Sequence, residues 1–177
     1  HPKMLWEIKG GTTAGFNNLG ETWAQPLKAK VRINNIEHKV LIISGGYDAN
    51  QDTSTKRDSL ATDSMGNAVY IVDYDTGALV WSGSSAYGSP KVFSDMKYSI
   101  PAGVTGADVS GDGLLDLFYV GDTGGQVWRF DINNSATTST DLITGGVIAD
   151  LNAGTGTATA ANNRRFYHSP ALFAGLS

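Results

Sequence analysis

Residues 66–81 read GNAVYIVDYDTGALVW. One apolar, β-branched and aromatic run follows Gly66 and ends on Asp73. A second run, residues 78–81, ends on Trp81. Both read as strands. Between them, Asp73-Tyr74-Asp75-Thr76-Gly77 reads as a turn. An aspartate side chain accepts a hydrogen bond from backbone two residues on, and glycine takes positive φ without a Cβ penalty. Strand, turn, strand is the pattern that the flanking sequence repeats.

Two more strands precede this hairpin, residues 26–33 and 40–43, the second closing at Gly45. Downstream the same order returns: residues 101–107, 115–120 closing at Gly121, 125–131, and 147–151. An aromatic residue three places before a proline marks each unit: Trp23 to Pro26, Tyr98 to Pro101, Tyr167 to Pro170. The first two marks lie 75 residues apart, as do Trp6 and Trp81, and the third follows after 69. Four antiparallel strands per unit describe the blade of a propeller. The expected fold is therefore all-β, an open segment of a β-propeller made of four-stranded antiparallel blades. Residues 1–22 would end a preceding blade, 23–97 and 98–166 would be whole blades, and 167–177 would begin another. The apolar runs at 40–43 and 115–120 do not alternate cleanly, which suits strands covered on both faces. A β-sandwich with a duplicated hairpin is the alternative. The stretches 49–64, 133–140 and 152–163, polar or rich in Gly, Thr and Ala, read as surface loops.

Composition agrees with an all-β chain and narrows its function. The 177 residues include 22 glycines and are 41% hydrophobic and 17% charged. A net charge of −4 speaks against a nucleic-acid surface, which needs a basic stripe. No apolar run has the length of a membrane helix, so no membrane insertion is expected of this segment. No signal peptide is recognised, and His1 is an unusual start, so the chain reads as an excised segment. The absence of cysteine excludes disulfides and thiol chemistry.

One stretch carries chemistry. Residues 108–116, DVSGDGLLD, place oxygen at alternate positions: Asp108, Ser110, Asp112, the carbonyl of Leu114, and Asp116. Calcium takes six to eight hard oxygens in a flexible shell, and a tight loop supplies them in this alternation. Gly113 permits the sharp turn around the ion. Position 12 of an EF-hand needs a glutamate and here is Tyr119, so the loop joins two strands instead of two helices. The other reading is an Asp/Gly-rich turn with no ion. The corresponding connector in the first unit, residues 34–39, contains Glu37 and Lys39 without alternating carboxylates, so one site is expected. His1, His38 and His168 are isolated and read as ordinary surface positions. Asp122 reads as a turn residue or as support for the metal loop. Lys56-Arg57 and Arg164-Arg165 read as solvated charge, and Gly154 with Gly156 as a loop. No hydrolase, zinc-protease or phosphate-loop motif is present, and the chain is read as a binding module, not an enzyme.

LIISGGYD (41–48), GNAVYIVDYDTGALVW (66–81), MKYSIPAGV (96–104), DVSGDGLLD (108–116) and GDTGGQVWRFDI (121–132) together resemble the C-terminal propeller of PilY/PilC-type pilus proteins. LGETWAQP (19–26) and RRFYHSP (164–170) fit the same pattern. The resemblance implies a surface-exposed protein of a Gram-negative bacterium, at the pilus tip or outer membrane. It implies roles in type IV pilus assembly, adhesion and twitching, with calcium shifting the balance between extension and retraction. Minor pilins, von Willebrand-type modules and host or surface receptors are the implied partners. The family's metal ligands map onto Asp108, Ser110, Asp112, Leu114 and Asp116. Two rival readings remain. Asp73-x-x-Thr76-Gly77-x-x-x-Trp81 also resembles the tryptophan-docking repeat of quinoprotein dehydrogenases, and an integrin-like adhesion propeller would use calcium structurally.

Overall fold

In the computed structural model, residues 1, 3–53, 60–86, 89–152 and 162–173 are described. Lys56-Arg57 and the Gly154/Gly156 pair lie outside them. The hairpin read first from the sequence is formed by β3 (Ala68–Asp73) and β4 (Leu79–Ser84), paired antiparallel. Its turn works as the residue types require: Asp73 Oδ1 accepts from the Asp75 and Thr76 amides at 3.1 and 2.8 Å and from the Thr76 hydroxyl at 2.7 Å. Gly77 has φ +72°, and a Cβ there would meet the Trp6 ring at 2.6 Å, so conformation and close approach both demand glycine.

β1 (Leu27–Ile33) and β2 (Ile36–Ser44) complete the antiparallel part of the first sheet, and a two-residue strand, β5 (Lys91–Val92), adds to β4 in parallel. The expected four strands thus become five here. β1 and β2 turn through Asn34 (φ 49°) and Asn35 (φ 61°), the two left-handed residues of a type I′ hairpin. Asn34-Asn35 is thus the whole connector expected at 34–39. Glu37 lies on β2, ion-paired with Lys30 (3.5 Å) and Arg32 (3.7 Å).

The second sheet has the order β6 (Thr105–Ala107), β7 (Leu117–Gly121), β8 (Gln126–Ile132), β9 (Ile143–Asp150), all antiparallel. β6 is shorter than the run read at 101–107. β9 starts four residues before the run read at 147–151, because ladder pairing with β8 carries it through Gly145 and Gly146. Short 3₁₀ turns sit in two of the loops, Ala49–Asp52 and Ser139–Asp141.

The main core joins both sheets: Val31, Val40, Ile42, Ile71 and Trp81 with Phe118, Val120, Trp128 and Phe130. Its rings interlock, with Phe118–Phe130 centroids at 4.7 Å, Phe93–Trp128 at 6.0 Å and Trp81–Phe130 at 6.4 Å. A second cluster covers the other face of the first sheet, where Phe16 packs on Ala68, Tyr70 and Val72 beside Trp6 and Leu19. Two stacked sheets are what a sandwich and a pair of neighbouring blades have in common.

The aromatic-x-x-Pro marks also acquire a physical meaning. The chain near each one is bonded to the far end of a central hairpin. The Gly20 amide donates to Gly45 O (2.8 Å), Gly46 to Ile100 O (2.9 Å), Thr123 to Ser99 O (2.8 Å), and Phe166 to Asp122 O (3.0 Å).

Candidate metal centre

The β1–β2 hairpin closes in two residues, whereas the corresponding β6–β7 hairpin opens into nine, residues 108–116, beyond the Ala107–Leu117 pair. Two leucines root this loop. Leu114 and Leu115 are buried, and the Leu115 amide donates to Lys30 O of β1 at 2.8 Å. Asn134, from the loop after β8, braces the same point. Its Nδ2 donates to Leu115 O (3.0 Å), and its Oδ1 accepts the Arg32 amide (2.9 Å). Residues 108–113 are exposed.

The acidic side chains close the loop on itself. Asp108 Oδ1 accepts from the Gly111 amide (2.7 Å) and the Ser110 hydroxyl (3.3 Å), while Oδ2 accepts from the Gly113 amide (2.8 Å). Asp116 Oδ2 accepts from the Val109 and Ser110 amides, both at 2.7 Å. Asp108 and Asp116 therefore meet at Ser110. Asp112 bonds the Leu114 amide two residues on (2.9 Å). Gly111 (φ 76°) and Gly113 (φ 86°) are both left-handed; the sequence reading singled out only the second. The Gly113 amide, against a smaller desolvation cost and helped by Gly111 and Ser110, holds the Asp108 carboxyl below its usual range.

Is this donor set suited to calcium? Its oxygens are hard and come from alternate residues, as calcium requires. Among the described residues the hydrogen bonds to Asp112 use Oδ1 and those to Asp116 use Oδ2, so each keeps a carboxylate oxygen with open lone pairs. Also among the described residues, no group of three or more carboxylates and imidazoles is gathered tightly enough to hold an ion by itself. Any ion here would thus depend on the Ser110 hydroxyl and the Leu114 carbonyl as well as on carboxylates.

Asp122 does not support this loop. It lies at the opposite end of β7, fully buried, and accepts from the Gly124 and Gln126 amides and Trp128 Nε1, each at 2.9 Å. Burial pushes its carboxyl up to about 7 against the pull of those donors. Trp81, which ends the tryptophan-docking-like repeat, is buried between Phe93 and Phe130. His38 is half-buried on β2, and His1 and His168 are exposed. Among the described residues, no helix is long and apolar enough to cross a membrane.

Comparison with known proteins gives a consistent answer. Over 133 residues, 73% of this chain, the sequence is 25% identical to type IV pilus biogenesis factor PilY1 of Pseudomonas aeruginosa strain UCBPP-PA14. The PilY1 of strain PAO1 is 27% identical over 134 residues. The aligned part spans 9% of the length of either relative. The crystal structure of the P. aeruginosa PilY1 C-terminal domain superposes with a TM-score of 0.49 at 23% identity, covering 81% of this chain and 27% of that one. No family model matches the chain. The resemblance to PilY/PilC-type pilus proteins carried by the residues is met in these comparisons, and the chain is similar to a segment of type IV pilus biogenesis factor PilY1.

Proposed function

We propose that this chain is a calcium-binding propeller segment of a type IV pilus biogenesis protein, acting by binding and without catalysis. The observation that carries the reading is the 108–116 loop. Where the first sheet turns in two residues, the second spends nine on a hairpin tip with three exposed or half-exposed aspartates and two left-handed glycines. Similarity to PilY1 supplies the pilus context. The two units, 23–97 and 98–166, would be neighbouring blades flanked by parts of two others at 1–22 and 167–177. Asp108, Ser110, Asp112, the Leu114 carbonyl and Asp116 would hold the ion. Bound calcium would neutralise the acidic cluster and fix one form of the hairpin tip. A ligand biases a partner only through its differential affinity for the two forms of the loop. The partners would be minor pilins and host or surface receptors, met at the cell surface of a Gram-negative bacterium. The outcome would be a shift between pilus extension and retraction, and so in twitching.

Calorimetric titration of the chain with calcium should give about one ion per chain, with a Kd of ~10⁻⁶ to 10⁻³ M. Asp112→Ala should abolish the heat. Magnesium should compete poorly, because it demands octahedral geometry and gives up water reluctantly. No saturable heat, or full binding by Asp112→Ala, would remove the calcium reading and leave a self-closed acidic turn.

A further inference from the structure

A cleft elsewhere on the surface has no residue in common with the acidic loop. It has a volume of about 510 Å³ and opens between the segment entering β1 and the residues around the third aromatic-x-x-Pro mark. This falls within the roughly 300–1,000 Å³ of ligand sites. Its apolar lining comes from Trp23 and Tyr167 with Pro26 and Pro101, and its polar lining from Gln25, His168 and Ser169. The two aromatic residues are large and exposed, Trp23 to 59% and Tyr167 to 43%.

They are nonetheless held in place. Tyr47 contacts both rings, with centroids 5.6 Å from Trp23 and 6.3 Å from Tyr167, and its own hydroxyl donates to Asp52 at 2.8 Å. Among the described residues no carboxylate or guanidinium lines the cleft. The one ammonium on its lining, Lys28, is drawn over the Tyr74 ring, 4.4 Å from the centroid. Exposed ring surface calls for an apolar ligand face, neighbouring amide, imidazole and hydroxyl groups call for hydrogen-bonding edges, and a lining without carboxylate or guanidinium, its one ammonium engaged by Tyr74, favours a ligand that needs no ion pair. A sugar ring has all three properties, with a C–H face and a hydroxylated rim. A polyproline helix is also neutral and docks in aromatic-lined grooves, but it offers carbonyl acceptors and no N–H donors, whereas Gln25, His168 and Ser169 on this lining supply both donors and acceptors, as a hydroxylated ring requires.

We propose that this cleft binds a neutral oligosaccharide, stacked on Trp23 and Tyr167 and hydrogen-bonded by Gln25, His168 and Ser169. The cleft shares no residue with the 108–116 loop, so it stands or falls independently of calcium.

The test is titration of the 177-residue chain, with and without calcium, against maltotriose, cellotriose, lactose, diacetylchitobiose and a nonaproline peptide, followed by calorimetry and protein-observed NMR. The expected result is saturable binding of at least one sugar. It should weaken about tenfold or more in both Trp23→Ala and Tyr167→Ala, and remain unchanged in the remote surface variant Ile148→Ala. Trp23→Phe, which keeps a ring, should retain most of the affinity and covers the case in which Trp23→Ala folds poorly. Failure of every sugar to bind, binding that survives both alanine variants, or binding of nonaproline in place of the sugars would each overturn the proposal.

Discussion

Asp108 shows how a single side chain organises the exposed tip of a loop through backbone amides. Both of its oxygens are engaged by loop donors, and the Gly113 amide is the main reason its carboxyl is held below the ordinary range. That depression gives a pH signature with a definite sign. The unfolded chain binds a proton at about pH 3.9, and the folded loop binds it at lower pH. Stability from Asp108 is therefore complete above the unfolded value and is lost as pH falls through the folded one. In calcium-free buffer, urea unfolding of wild type and Asp108→Asn should differ by a constant amount at neutral pH. The gap should narrow below about pH 4. A gap that stays constant down to pH 2 would show that the amides do not distinguish carboxylate from carboxyl, and that the loop is closed by shape alone.

At the scale of the element, the β6–β7 hairpin is held by what lies under its tip. Leu115 sits in the main core, its amide is tied to β1, and its carbonyl is braced by Asn134. Leu115→Ala should cost about 2–4 kcal/mol in chemical unfolding, by lost burial plus a residual cavity. It should also weaken calcium binding, although it removes no ligand. Unaltered affinity in a destabilised variant would mean that the tip is organised by its own hydrogen bonds alone. This loop and the 73–77 turn were legible in the sequence because their information is local: an acidic residue, an amide two or three places on, a glycine. Other features depend on distant partners and leave no local trace. Asn134 reaches Arg32 across 102 positions, β5 exists only because β4 lies beside it, and β9 crosses Gly145-Gly146 on the strength of its pairing with β8. Asn34-Asn35 is a local turn that was missed, since the reading placed the connector four residues too long and so obscured the left-handed pair. Within the candidate site, the alternating oxygens and Gly113 were legible. The Gly111 turn and the leucine root were not, because Leu115 looks like the opening of the next strand and Leu114 enters the reading only through its carbonyl.

Across the whole molecule the layers are unequal. The N-terminal segment with Phe16, the first sheet and the second sheet lie in that order, so β3 is buried on both faces while β8 alternates buried with half-buried or exposed residues. β9 is an edge strand with Ile148 and its neighbour Leu151 exposed to more than half. Local opening costs least where few apolar contacts must be broken, and amide exchange measures that cost strand by strand. Exchange should therefore be slowest in β3, where opening requires separation from both clusters, faster in β8 and fastest in β9 and β5. Phe16→Ala should cost about 3–5 kcal/mol, and the loss should appear in β3 before it reaches β8, because among the described residues Phe16 belongs to the cluster on the outer face of the first sheet and not to the main core. Measurement at several protein concentrations gives the comparison its force. If β8 and β9 exchange as slowly as β3, and do so increasingly with concentration, the outer face of the second sheet is covered by another copy in solution. The inequality of layers would then belong to the single chain and not to the particle. If the ranking holds at every concentration, that face is free in the isolated chain, as the end face of an open arc of blades would be.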